Sequence, residues 1–287
     1  LFSPRKHLGQ NFLQDDNILR KIVASLELKP DDLVVEIGPG PGALTRLLAD
    51  ACRLTAVEVD RRAVERLTEE FSGRVTIVEG DVLKVTARDL LSGRVHDEHV
   101  TFAAFSAGAA RNDPGMISGG GPLLRVVGNI PYYITSDILF WVIDQRDLIS
   151  DATLMIQEEV ADRLVARPRT KDYGILSVFA QHYAVPRRLF GVSRNCFYPR
   201  PDVDSAVVRL NFRRDPLPVD DVLFRTVVRG TFGKRRKTIR NGLAYAGIAK
   251  EIIMSLGPVT DRRPEELTPE EFVELTKEVQ RRSRTID

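Results

Sequence analysis

The chain has 287 residues, 43% apolar, 29% charged and 7% aromatic, enough apolar content for a sizeable core and incompatible with wholesale disorder. Its 42 basic and 40 acidic residues leave a net charge of +2, so total charge by itself marks no polyanionic partner. No apolar run reaches the roughly 18 residues that a membrane-spanning helix needs, and a cytoplasmic location is expected.

Residues 15–28 place Ile18, Ile22, Val23 and Leu26 on one face, with Asp15 or Asp16 as a cap, and predict a helix. Leu33–Gly38 reads as a short apolar strand running into the turn Gly38-Pro39-Gly40-Pro41-Gly42, and 42–49 as the next helix. A strand over Arg53–Val59, a helix over Arg61–Phe71 and a strand over Val75–Glu79 follow, with further strands near 123–127 and 153–157. This alternation predicts an α/β fold with an open, mostly parallel sheet covered by helices.

Residues 92–122 break the pattern. They are rich in small residues, close on three glycines and read as a long insertion loop, of a length that is either functional or disordered. His96 and His99 have metal-like spacing there but stand without cysteine partners. Cys52 and Cys196 are far apart with no CxxC, so no metal site is expected. Beyond Ala184, 189–191 and 206–212 read as strands, and from Pro218 onward the pattern is helical: 220–230, 238–246, 248–255 and 269–282. A domain boundary is expected at 213–218. Charge is concentrated around it: Arg187 to Arg240 holds 14 basic and 5 acidic residues, whereas the rest of the chain holds 28 and 35.

Ligand-binding groups gather at the predicted strand ends. Glycines in the first turn let the backbone approach a ligand closely. Glu58 and Asp60, at the end of the second predicted strand, can accept from a ribose diol, and each also suits a helix cap. Asp81, after the third, can accept from an adenine amino group. Open α/β sheets bind ligands at this rim. The spacing Gly38-x-Gly40-x-Gly42 departs from the GxGxxG of dinucleotide sites, which favours S-adenosylmethionine over a nicotinamide cofactor. At the fourth strand end stands Asn129-Ile130-Pro131-Tyr132. An exocyclic adenine amine is a weak nucleophile, so a site must hold it and accept its N–H groups. The Asn129 side chain and the Ile130 carbonyl can accept, Pro131 stiffens the turn, and Tyr132 offers a face for a flipped base. Near the start of the helical region, Arg235, Arg236, Lys237 and Arg240 cluster as phosphate contacts would.

Asn129–Tyr132 resembles the signature of nucleic-acid adenine N6-methyltransferases. Together with His7–Leu13, Glu36–Gly42, the segment Phe197-Tyr198-Pro199-Arg200-Pro201-Asp202-Val203-Asp204-Ser205 and the basic run Phe232–Asn241, it makes nearly the whole chain resemble the small-subunit ribosomal RNA adenine dimethyltransferases. The resemblance implies a Rossmann-like class I methyltransferase sheet over 1–214, with 92–122 as an insertion, and a helical RNA-binding domain over 215–287. It implies dimethylation of two adjacent adenines near the 3′ end of the small ribosomal RNA, by a monomer without a metal or membrane. For the cofactor it implies Gln10, Asn11, Leu13, Glu36, Gly38, Gly40, Gly42, Glu58, Asp81 and Asn129. For catalysis it implies Asn129, Ile130, Pro131 and Tyr132, with Phe197 sandwiching the base against Tyr132. Tyr133 departs from the Asn that many relatives carry. Three other readings stay open: a large-subunit RNA methyltransferase of the antibiotic-resistance type, an RNA-binding assembly or transcription factor, and a nicotinamide enzyme.

Overall fold

The computed structural model describes residues 3–5, 8–94, 100–104, 123–233 and 237–286. The chain forms two compact units. The first comprises Leu1–Ala161 and Arg187–Phe212, the second Asp162–Pro186 and Arg213–Asp287. The boundary expected at 213–218 falls where the chain enters the second unit for good. The 1–214 span read from the sequence also contains 162–186, which packs with the second unit.

In the first unit, β1 (Phe12–Leu13) leads into α1 (Asp16–Leu26), followed by β2 (Leu33–Ile37), α2 (Thr45–Leu48), β3 (Arg53–Glu58), α3 (Arg61–Glu70), β4 (Val75–Glu79), α4 (Ala87–Ser92) and β5 (Thr101–Ala104). Then come β6 (Leu124–Asn129), α5 (Thr135–Asp144), β7 (Ile149–Gln157) and α6 (Glu158–Val165), which leads into the second unit and α7 (Ile175–Tyr183). β8 (Ala184–Val192), β9 (Phe197–Tyr198) and β10 (Ser205–Phe212) complete the first unit. Eight strands form one sheet in the order β5-β4-β3-β2-β6-β7-β10-β8, with helices on both faces. The five strands from β4 to β7 run parallel, while β10 is antiparallel to β7 and β5 antiparallel to β4.

The α/β expectation holds, with local corrections. Residues 101–104 were read as part of an insertion loop, yet they pair with β4 as an edge strand. The remainder of that stretch, 95–99 and 105–122, lies outside the described residues, and His96 and His99 with it. The helix expected at 42–49 is shortened to Thr45–Leu48, because the glycine turn carries the chain farther before helical geometry begins.

Capping explains where the helices start. The Asp15 carboxylate accepts from the Asn17 and Ile18 amides, and Asp60 caps α3 through Arg62 N. Leu19, Ile22 and Leu26 of α1 join Leu48, Leu54, Leu67, Phe71 and Ile77 in one apolar cluster on the sheet. Gly42, at φ +84°, supports that packing: a Cβ there would lie 2.9 Å from Leu67 Cδ2. Arg125 ties down the opposite end of the sheet, donating to Asp32 at 2.8 Å, to Asp151 at 2.9 Å and to the Leu26 carbonyl at 2.7 Å.

The second unit packs α7 with α8 (Asp221–Phe232), α9 (Ile239–Tyr245), α10 (Lys250–Ser255) and α11 (Pro269–Ile286). Its core is aromatic: Phe179 meets Phe224 edge to face at 5.6 Å, and Phe232 meets Phe272 at 5.8 Å. α8 and α9 touch backbone to backbone at Gly242, where a Cβ would lie 2.4 Å from Thr231 Cα. Gly242→Ala forces these helices apart and should cost about 2 kcal/mol or more. Urea unfolding of the full chain measures the loss; an unchanged midpoint would contradict the contact.

Candidate active site

Parallel strands deliver their carboxyl ends to one rim. β2 and β6 are neighbours whose chains continue to opposite sides, so a crevice opens between the turns that follow them. A cleft of about 220 Å³ lies there. It is lined by Leu8–Phe12, Gly38, Gly40, Glu58, Val59, Gly80–Leu83 and Asn129–Ile134. Of the residues expected to hold the cofactor, Gln10, Asn11, Gly38, Gly40, Glu58, Asp81 and Asn129 line this cleft.

Gly38 and Gly40 have φ of +64° and +55°, a region that costs a side chain strain. A Cβ built on Gly38 meets no atom within 4 Å, so it would occupy the cleft itself. A Cβ on Gly40 would strike the Phe12 ring at 2.8 Å. Both glycines therefore keep backbone close to whatever the cleft holds. Glu58 Oε1 accepts the amides of Val59 and Asp60, and Oε2 accepts the Gly40 amide at 2.9 Å. Burial, helped by the Asp60 charge, raises this carboxyl, although the three amides draw it part of the way down. Asp81 Oδ1 accepts from Leu83 N, starting the short 3-10 turn Val82–Lys84.

Three expected cofactor residues lie elsewhere. Leu13 is buried in the apolar cluster. Gly42 serves the α3 packing described above. Glu36 is buried and lines a smaller apolar cavity with Leu13, Leu19, Ile22 and Met155, on the other side of the Gly38 turn. The Thr45 hydroxyl donates to its carboxylate at 2.8 Å.

On the catalytic side, Asn129 ends β6 and its Nδ2 donates to the Asn11 carbonyl at 2.8 Å. That bond uses one N–H of the amide and fixes the orientation of the group, with Oδ1 as its acceptor end. Gly128 lets β6 approach β2 here, since a Cβ would lie 2.7 Å from the Ile37 carbonyl oxygen. Ile130 is anchored by its amide to the Met155 carbonyl. The Tyr132 hydroxyl lies 2.8 Å from Ser205 Oγ, which fixes the ring at the cleft wall. Phe197 is only 5% exposed, packed in the apolar cluster with Leu13 through the β1–β9 pairing, and is not among the cleft-lining residues. Tyr133 stands 60% exposed at the cleft, against Gly9.

Val59 and Leu83 line the cleft as exposed apolar side chains and escaped the sequence reading. A bulky apolar residue directly after a strand-end acid is the signal that marks Val59. In the basic run, Arg235 and Arg236 lie outside the described residues. Lys237 is exposed, and Arg240 is held by Asp261 at 2.6 Å and by the Thr260 hydroxyl.

Burial, with a smaller contribution from the Glu58 charge, raises the Glu36 carboxyl from 4.5 to about 8, against the Thr45 hydrogen bond. A carboxyl raised on folding binds its proton more tightly in the native state. Stability is therefore lost as pH rises from the unfolded value through about 8. Glu36→Gln, which keeps an acceptor for Thr45, should flatten that decline in urea titrations between the two values. A decline as steep as in the unaltered chain would show that Glu36 is not its source.

With this geometry established, similarity to known proteins adds the chemistry. A profile of the family described as ribosomal RNA adenine dimethylase matches residues 1–280. A relative from Moorella thermoacetica called ribosomal RNA small subunit methyltransferase A is 43% identical, over 96% of this chain and 93% of its own length. One of the same name from Geobacter metallireducens is 41% identical, over 95% and 94%. The fold matches the crystal structure of a dimethyladenosine transferase from Plasmodium falciparum with a TM-score of 0.72 at 22% identity, covering 95% and 98% of the two chains. It matches that of the 23S rRNA methyltransferase ErmE with a TM-score of 0.62 at 27% identity, covering 94% and 100%. A cleft framed by glycine turn, strand-end acids and Asn-Ile-Pro-Tyr, and a profile match over almost the full length, place this chain in the ribosomal RNA adenine dimethylase family.

Proposed function

We propose that the chain transfers methyl groups from S-adenosylmethionine to N6 of two adjacent adenines near the 3′ end of small-subunit ribosomal RNA, giving N6,N6-dimethyladenosine. The observation that carries the reading is the Asn129 side chain, whose nitrogen is occupied by the Asn11 carbonyl so that its oxygen is left to accept. An amine donor at the cleft meets an acceptor there, which suits adenine N6.

S-adenosylmethionine, when bound, supplies a methyl carbon on a positively charged sulfur. The residues present fit it: Gly38 and Gly40 leave room for close backbone approach. Glu58 Oε2, holding one amide, keeps a further acceptor direction for a ribose hydroxyl. Asp81 serves an adenine amino group, and Val59 and Leu83 are the apolar faces beside the ring. Gln10 and Asn11 close the methionine end.

Asn129 Oδ1 and the Ile130 carbonyl accept the N–H groups of the target amine, which directs its electron pair at the methyl carbon. As the new N–C bond forms, the sulfur–methyl bond would break with its electron pair staying on sulfur, leaving neutral S-adenosylhomocysteine, while positive charge grows on the nitrogen beside these fixed oxygens. The surplus proton then leaves to water. Pro131 holds the turn, and Tyr132, braced by Ser205, stacks on the base. Phe197, expected as the second aromatic of the sandwich, is packed beside Leu13 and does not line the cleft, so the stacking role falls to Tyr132. Arg235, Arg236, Lys237 and Arg240 bind RNA phosphates from the helical region. A monomer acting on a ribosomal subunit or its precursor completes the reading. Two free cysteines suit a reducing, cytoplasmic setting.

The likeness to ErmE keeps a large-subunit RNA substrate as the second reading. Methyl-labelled S-adenosylmethionine, incubated with small and large subunits from a strain lacking its own adenine dimethyltransferase, separates the two. Labelled dimethyladenosine at neighbouring 3′-terminal positions of the small-subunit RNA is expected. Label on large-subunit RNA alone would select the second reading.

Asn129→Ala should lower kcat by about 100-fold or more, a larger loss than the weakening of cofactor binding that follows from cutting its bond to Asn11; near-normal turnover would remove its assigned role. Tyr132→Ala should weaken base handling by about 1–3 kcal/mol, read as a raised KM for RNA. Neutralising Arg235 and Arg236 together should weaken RNA binding and reduce its salt slope by about 2. An unchanged slope would mean that these charges only face solvent.

A further inference from the structure

Asp60 carries more bonds than a helix cap requires. Its side chain has no exposed surface, although its charged partners are partly exposed. Oδ1 accepts the Arg62 amide at 3.2 Å, which is the cap, and Arg62 Nε at 3.1 Å. Oδ2 accepts a second Arg62 nitrogen at 2.7 Å and Gln10 Nε2 at 3.2 Å, and the Arg5 guanidinium lies 3.7 Å from Oδ1. The N-terminal segment is bound on several sides: Arg62 also donates to the Ser3 carbonyl, and the Arg5 amide donates to Gln10 Oε1 at 2.8 Å. Burial opposes the charge on Asp60, but the Arg62 and Gln10 hydrogen bonds hold its carboxyl below the usual range.

Asp60 does not line the cleft, yet Gln10 and its neighbours from Leu8 to Phe12 do. That stretch is tied to Asp60 at one end and, through the Asn11 carbonyl, to Asn129 at the other. The amide of Asp60 also donates to Glu58 Oε1. One residue thus joins the strand-end acid to the segment that walls the opposite side of the cleft. From this we infer that Asp60 is a positioning residue, holding Arg5 and, through Gln10, latching the Leu8–Phe12 stretch into place as a wall of the cofactor pocket; the inference rests on the methyltransferase reading above.

The decisive variant is Asp60→Asn. Asparagine caps a helix as well as aspartate, but its one side-chain oxygen then serves the Arg62 amide, so the acceptor facing Gln10 and the charge that holds Arg62 and Arg5 are both gone. Calorimetric titration with S-adenosylhomocysteine should show about tenfold weaker binding with little change in Tm. In turnover, the loss should fall on KM for S-adenosylmethionine more than on kcat. Hydrogen exchange at residues 8–12 should quicken. Gln10→Ala, which cuts the latch from the other side and leaves the cap alone, should weaken binding similarly. The double variant should be little worse than either single one. If Asp60→Asn binds S-adenosylhomocysteine like the unaltered chain, or if the two effects simply add, the latch is overturned while the methyltransferase reading stands. Should Asp60→Asn not fold, Gln10→Ala decides through hydrogen exchange as well as binding, and normal binding or unchanged exchange at residues 8–12 overturns the latch. An unaltered chain that neither binds S-adenosylhomocysteine nor methylates RNA removes both.

Discussion

The structure depends on β2 being paired in parallel on both sides, with β3 in register from Leu33/Arg53 and with β6 from Leu33/Leu124. Parallel pairing sends all three strands out at the same rim. Because the chain crosses to β3 on one side and later to β6 on the other, their turns splay and leave a crevice. The glycine turn, Glu58 and Asn129 reach the same cleft only because their strands share this pairing. The requirement for close approach extends to side-chain size: Gly128 is small because the Ile37 carbonyl lies against it, and that carbonyl is itself set by the β2–β6 register.

Charge is arranged around that crevice in a graded way. Glu36 lies deepest, in an apolar cavity, and takes up its proton near neutrality. Glu58 is also buried, and three backbone amides offset part of the burial that raises its carboxyl. Asp60 is bound by guanidinium and amide donors and stays ionised. Three neighbouring acids on adjacent strand ends thus have three different environments. Their roles differ accordingly, as core group, candidate ribose acceptor and latch. Chemical type alone does not separate them.

Much of the fold was legible in the sequence, for identifiable reasons. Helix starts carried capping acids at Asp15 and Asp60, and the central strands were short apolar runs between polar turns. Where the reading fell short, a non-local contact decided. Thr101–Ala104 becomes a strand because β4 offers an open edge to pair with. Residues 162–186 join the helical unit because Phe179 and Tyr183 pack on Phe224, more than forty positions away. Neither partner is visible in a local window of sequence.

The site divides in the same way. The sequence by itself determined which chemical groups stand at the strand ends, because those groups sit in short contiguous motifs: Gly38–Gly42, Glu58, Asp81 and Asn129–Tyr132. Only the tertiary structure decided how each is used. It sent Leu13, Glu36 and Gly42 into packing, buried Phe197 against β1, and set the Asn129 amide by a carbonyl 118 positions earlier in the chain. It also made Asp60 a junction between the N-terminal segment and α3. Each of these outcomes depends on which surfaces meet once the sheet is closed. A motif specifies the group; its direction and partner come from residues brought near by folding.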